Sequence, residues 1–282
     1  MKRRQAMILC AAAFIFTAAV LVNVSWEKRD SRGGLSEAEL GLMCLSGTVA
    51  GIEEDKEISS EKKPAAEKNG NKKEKEDDKV KKEKGDPLVI IYHTHATESY
   101  QPSSGGNFHK EGEKNTVREV GDVVEDTLEK EGINVIHDKT LHDRPSYNES
   151  YARSLETVQR LLKKYPTVKY VIDLHRDAAA YSGNKGVTVD IGKDKVASYS
   201  LVIGRGCDNY KSLRKFADEV NRKAESMYKG FGGRIIEKDY KFNQWVCDNH
   251  LLLEIGNNQN HIDEVRKTGK YIGKVLIEVI ND

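Results

Sequence analysis

Three apolar runs in the chain end in groups that can bind a metal ion or move a proton. Tyr92-His93-Thr94-His95-Ala96-Thr97-Glu98-Ser99 closes the first, Asp173-Leu174-His175-Arg176-Asp177 the second, and Glu254-Ile255-Gly256-Asn257 completes the third, behind Leu251 to Leu253. His95-x-x-Glu98 and the distant His175 supply two imidazoles and one carboxylate. That set suits a catalytic zinc ion and leaves a fourth position for water. Zinc brings the pKa of such a water near neutrality and polarises a carbonyl under attack. A carboxylate held nearby can then take the water's proton and pass it to a leaving amine. Glu254 is the candidate for that work, because a Glu inside an apolar run is costly to bury without a purpose.

Each residue also has a plainer use. His175 could bond to backbone, Glu98 could cap a turn, and Glu254 could pair with Arg176. His93 and His95 are two apart, so an extended backbone turns both the same way. His95 is taken as the ligand because it begins the H-x-x-E spacing. His93, Arg176, Asp177, Asn243 and Gln244 are left as candidates for supporting the ligands or contacting substrate, and Trp245 as either a platform for sugar or peptide or a core residue. His109, His137, His142, His250 and His261 have no partner spacing and read as structural. The set stands or falls on convergence. Side chains 95 and 175 more than about 10 Å apart could not share an ion.

Positioning these groups requires a sheet. Leu88 to Tyr92, Ile133 to His137 and Tyr170 to Leu174 read as strands, as does Leu251 to Ile255. Val117, Val120, Val124 and Leu128 recur at helical spacing within 115–131, a helix closed by Gly132. Further helices are expected over 148–164, 212–228 and 262–280. Runs 187–191 and 196–203 read as consecutive strands forming a hairpin across 192–195, and 234–240 is weakly strand-like. Strands alternating with helices indicate one α/β domain, 87–282, with a mixed, mainly parallel sheet flanked by helices. Sites in such sheets form beyond the carboxyl ends of strands.

The rest of the chain bounds the class. Charged residues make up 32% of 282 residues but the net charge is only +1, which gives no support to a nucleic-acid partner. Lys2, Arg3 and Arg4 precede an apolar run from Ala6 to Val24, read as an N-terminal transmembrane helix. That makes residues 1–26 a membrane anchor with everything after it outside the cytoplasm. Residues 27–86 read as a charged linker, disordered where Glu, Asp and Lys dominate. The cysteines, Cys10, Cys44, Cys207 and Cys247, contain no Cys-x-x-Cys and so no thiolate zinc site. A Cys207–Cys247 bond is left open.

The stretches Ile91 to Tyr100, Asp173 to Asp177, Phe242 to Gln244 and Leu252 to Gly256, with Asn260 shortly after, resemble the stage II sporulation protein P family. His261 stands where the family's pattern suggests Thr. The resemblance covers 88 to the C-terminus and implies a zinc-dependent peptidoglycan hydrolase related to N-acetylmuramoyl-L-alanine amidases. It also implies endopeptidase activity on cross-links, a place at the sporulation septum and engulfing membrane, and stage II sporulation proteins D and M as partners. In the amidase relatives the ligand order is His, Glu, His and then a late catalytic Glu. His95, His175 and Glu254 carry over, while the middle ligand is Glu98 on spacing, with a Glu near 113–119 as the alternative. The rival reading is a zinc carboxypeptidase, whose pocket for a free carboxylate would draw on Arg176, Arg205 or Arg234.

Overall fold

The computed structural model describes residues 85–103 and 108–282. Its strands are β1 (Val89–Tyr92), β2 (Val135–His137), β3 (Tyr170–Asp177), β4 (Thr188–Ile191), β5 (Asp194–Ala197), β6 (Tyr199–Gly204), β7 (Arg234–Lys238) and β8 (His250–Asn257). Its α-helices are α1 (Val117–Lys130), α2 (Ser150–Lys164), α3 (Tyr210–Met227) and α4 (Ile262–Asn281). A six-stranded sheet runs in the order β2-β1-β3-β8-β6-β7, parallel except where β6 lies antiparallel to β8. This is the expected mixed, mainly parallel α/β sheet.

Side-chain alternation along the strands divides the core unequally. Ile91, Ile172, Leu174, Leu201, Leu251, Leu253 and Ile255 face one way, packed with the apolar stripes of α1, α3 and α4. The other face carries a smaller cluster, in which Ile90, Tyr92 and Val171 pack against Val158 and Leu161 of α2. Further along that second face the strands carry Asp173, His175 and Glu254 instead of aliphatic residues. Because successive side chains alternate, these polar groups share the face of Val171 and Leu252. Apolar packing thus fixes the strands from one side and frees the other for chemistry.

Two expectations need correction. The run from Val196 to Ile203 is not one strand. Asp194 to Ala197 closes the two-stranded β4-β5 hairpin, and from Tyr199 the chain enters the main sheet. The break falls at Ser198, whose amide bonds Val187 O at 2.9 Å while its carbonyl accepts from Gly256 N at 2.8 Å. The expected transmembrane helix is withdrawn, and with it the single-pass topology. No helix among the described residues is long and apolar enough to cross a membrane, and the anchor at 1–26 lies outside the described residues, as does the linker up to residue 84. Cys207 and Cys247 are both free thiols.

Candidate metal centre

The loop after β1 brings His95 and Glu98 over the end of β3. Glu98 is anchored from several directions. Its backbone amide bonds His95 O at 3.2 Å, its carbonyl receives Val117 N at 3.0 Å, and its Oε2 accepts Arg176 N at 3.1 Å. Thr97, beside it, donates through both its amide (3.0 Å) and its hydroxyl (2.5 Å) to buried Asp143. The loop is therefore held by hydrogen bonds on both sides of the candidate ligands.

His95, Glu98 and His175 each offer a ligand atom within 4.8 Å of the others. Glu98 Oε1 lies 3.7 Å from His95 Nδ1, and Glu98 Oε2 lies 3.4 Å from His175 Nδ1. The two imidazole centroids are 5.1 Å apart with nearly perpendicular planes. A tetrahedral zinc with bonds of about 2.0–2.1 Å holds neighbouring ligand atoms roughly 3.3–3.4 Å apart. The residues present fit such an ion in both spacing and donor chemistry. On its other side His175 Nε2 lies 2.9 Å from Asp173 Oδ1. That contact is close enough for an ion pair but out of line for a hydrogen bond, so this buried nitrogen has no aligned partner.

Electrostatics make the same point. Burial works against charge at His175, but Asp173 and then Glu98 overcome it and hold the imidazole's pKa well above its ordinary value. Burial also disfavours charge on Glu98, yet Arg176 and His175 hold its carboxyl well below the usual range. Asp173 is fully buried and accepts Thr94 N at 2.8 Å and Thr94 Oγ1 at 2.6 Å. Without a metal, the His175 imidazolium is the cation these carboxylates require.

Glu254 sits beside His175 because the two are register partners across β3 and β8. Burial, with Asp177 next in strength, pushes its carboxyl up to about 8. Among the described residues it also lines a cleft of about 390 Å³ with Asp177, Ser200, Arg234 and Asn257.

The supporting candidates divide. His93 is wholly buried, with Nδ1 bonded to Leu174 O at 2.8 Å and Nε2 to His137 Nε2 at 2.8 Å. Since the carbonyl must accept, His93 Nε2 is the acceptor for a proton carried by His137. Asp122 and Glu125, 3.0 and 3.3 Å from His137 Nδ1, offset the burial of His137 and raise its pKa. Gly121 makes room for this pair, since a Cβ there would lie 2.5 Å from the His137 ring. Arg176 is buried, its guanidinium bonded to Phe108 O at 3.2 Å, whereas Asp177 opens onto the cleft. Asn243 and Gln244 bond the elements around the site. Asn243, at φ 58°, ties to Tyr151 O and Ser154 Oγ of α2, and Gln244 bonds Gly204 N and Val202 O of β6. Trp245 is 41% exposed. Glu113 pairs with Lys139 and Glu119 with Arg266, so neither joins the cluster.

Sequence reasoning missed Tyr147, which stacks on His95 at 4.2 Å with its hydroxyl 3.1 Å from His95 Nδ1. It also gave Asp173 no role. The Asp-x-His spacing on a strand, which turns both side chains to one face, was the signal for that residue.

The family model for stage II sporulation protein P matches residues 45–277. The chain belongs to that family. A member from Bacillus subtilis (strain 168), stage II sporulation protein P, is 30% identical over 220 residues, covering 73% of this chain and 54% of its own length. The chain thus spans about half the length of that relative. Among solved structures, the N-acetylmuramoyl-L-alanine amidase AmiC2 of Nostoc punctiforme is 15% identical at a TM-score of 0.40, covering 70% of this chain and 99% of that one. Cwp6 from Clostridium difficile is 16% identical at a TM-score of 0.42, with 70% and 30% covered. At such scores these two carry no argument about chemistry. The expected partnership with stage II sporulation proteins D and M is withdrawn, because the match is to a family and supplies no surface for them.

Proposed function

We propose that this stage II sporulation protein P relative is a zinc-dependent peptidoglycan hydrolase acting in sporulation. On this reading it cuts the amide between the lactyl group of muramic acid and the first alanine of the stem peptide. What supports it most is one observation: two imidazoles and a carboxylate from separate segments converge within 4.8 Å, beside a carboxyl group kept protonatable near neutrality.

His95, Glu98 and His175 would hold the ion. A zinc ion there supplies Lewis acidity, polarising the amide carbonyl and acidifying a water. The other steps belong to the chain. Asp173, fixed by Thr94, orients the His175 ring so that Nδ1 faces Glu98. Tyr147 stacks on the His95 ring and helps to hold its orientation. Glu254, charged once a dication sits against the neighbouring strand, would take a proton from water and return it to the leaving alanine nitrogen. Its strand pairing with His175 keeps the two at the roughly 4.8 Å inter-strand spacing whatever the substrate does.

The test is product analysis on purified sacculi. Intact stem peptides with a new amino-terminal alanine support the amidase, while release of single carboxy-terminal residues would show the carboxypeptidase instead.

A further inference from the structure

The cleft beside Glu254 holds a feature that the hydrolytic step does not use. β6 runs against β8, so the amino ends of β6 and β7 reach the same end of the sheet as the carboxyl end of β8. Glu254 pairs with Ser200, and Ser200 pairs with Arg234. Arg234 is the one cationic side chain among the residues that line the cleft, alongside Asp177, Ser198, Ser200 and Asn257.

Its guanidinium is loosely held. Among the described residues it reaches only Asp177 Oδ2 at 3.4 Å and Ser200 Oγ at 3.5 Å, both through Nη2, and the side chain is 68% exposed. Charge-assisted N–H···O⁻ bonds close to about 2.7–2.9 Å, and a guanidinium can grip a carboxylate with two parallel donors. Nε and Nη1 remain for such a grip. Asp177 is the poorer docking group for a cationic ligand. Its Oδ1 is taken by Ala178 N at 2.7 Å, and a cation reaching it would face Arg234.

We propose that this cleft seats the peptide half of the substrate and that Arg234 binds a free carboxylate on it. The proposal rests on the amidase reading of the same site. Two strand spacings separate Arg234 from Glu254, roughly 10 Å of backbone. At up to about 3.5 Å per extended residue, that places the carboxylate on the second or third residue beyond the cleaved amide. A carboxypeptidase would instead need it on the residue released.

The experiment uses the full chain loaded with zinc and two synthetic muramyl peptides with the same lactyl–alanine amide. One carries a free carboxylate on both its second and its third residue and the other a primary carboxamide at both positions. Binding of the corresponding free peptides, which have no scissile bond, is measured in parallel by calorimetry. The unaltered chain should show a KM about tenfold lower for the carboxylate substrate. Arg234→Gln should abolish the preference by raising that KM alone, with kcat changed by less than about twofold. Arg234→Lys, which keeps the charge without the fork, should restore part of it. A preference that survives Arg234→Gln, or equal losses on both substrates, overturns the subsite. If neither substrate is cut but free peptides still show an Arg234-dependent carboxylate preference, the subsite stands and the amidase reading falls. If both are cut alike, the reading stands and the subsite falls.

Discussion

Zinc binding should release protons, by a number the site's geometry sets. In the metal-free chain His175 lies between Asp173 at 2.9 Å and Glu98 at 3.4 Å, with its pKa well above 6.5. It is therefore charged at pH 7 and must lose one proton to offer Nδ1 to a metal. Glu254, with a pKa of about 8, is roughly nine-tenths protonated at pH 7. A dication on the neighbouring strand favours its charged form, releasing up to about 0.9 of a second proton. Calorimetric zinc titrations at pH 7 in buffers of differing ionisation enthalpy should thus report about one to two protons released. Glu254→Gln should bring the value down to about one. Affinity should rise by roughly ten- to a hundredfold per pH unit near pH 7, in step with the one to two protons released, until His175 and Glu254 have titrated. The sign for stability runs the other way without metal. A folded pKa above the unfolded value means the His175 ion pairs stabilise the metal-free chain fully below about pH 6.5 and fade as pH rises through the folded pKa. A binding enthalpy independent of buffer would refute this reasoning, because it would mean His175 meets the metal already neutral.

Three further outcomes follow from named contacts. Gly121→Ala should destabilise the chain by about 1–3 kcal/mol in chemical denaturation, because a Cβ there lies 2.5 Å from the His137 ring and 3.2 Å from that of His93; unchanged stability would mean the histidine pair moves aside freely. Gln244→Ala should cost about 1–3 kcal/mol by leaving Gly204 N and Val202 O of β6 unpaired. Its KM should stay near that of the unaltered chain, and a KM effect without a stability loss would return Gln244 to the substrate site. Asp173→Asn should weaken zinc binding by about 10- to 100-fold, measured by competition with a chromophoric chelator. Unaltered affinity would show that Asp173 does not orient His175.

How much was legible in the sequence depended on whether the information was local. The strands ending at Tyr92, Asp177 and Asn257 are apolar runs closed by polar groups, so His175 and Glu254 could each be named from local sequence. The His95-x-x-Glu98 spacing lies in one short loop, and it was enough to rank Glu98 above Glu113 and Glu119. What stayed hidden depends on chain reversal and on distant packing. That β6 runs antiparallel to β8, placing Ser200 and Arg234 beside Glu254, follows from strand order and leaves no local mark. Tyr147 reaches His95 across 52 residues, and the His93–His137 contact joins two strand ends. Asn243 and Gln244 looked like cleft residues because polar side chains before a strand often are. Asn243 bonds Tyr151 O and the Ser154 hydroxyl of α2, and Gln244 bonds Gly204 N and Val202 O of β6, pairings that only the folded chain brings about. The split at Ser198 was missed for a related reason, since Val196 to Ile203 is apolar throughout and only pairing divides it.

The central claim is that His95, Glu98 and His175 together hold one divalent ion while Glu254 acts beside it. Metal analysis of the purified chain and its variants by mass spectrometry tests this directly. The purified chain should hold about one zinc, retained in an inactive Glu254→Gln variant and lost in His175→Ala. Full zinc content in His175→Ala, or loss of zinc in Glu254→Gln, would contradict it.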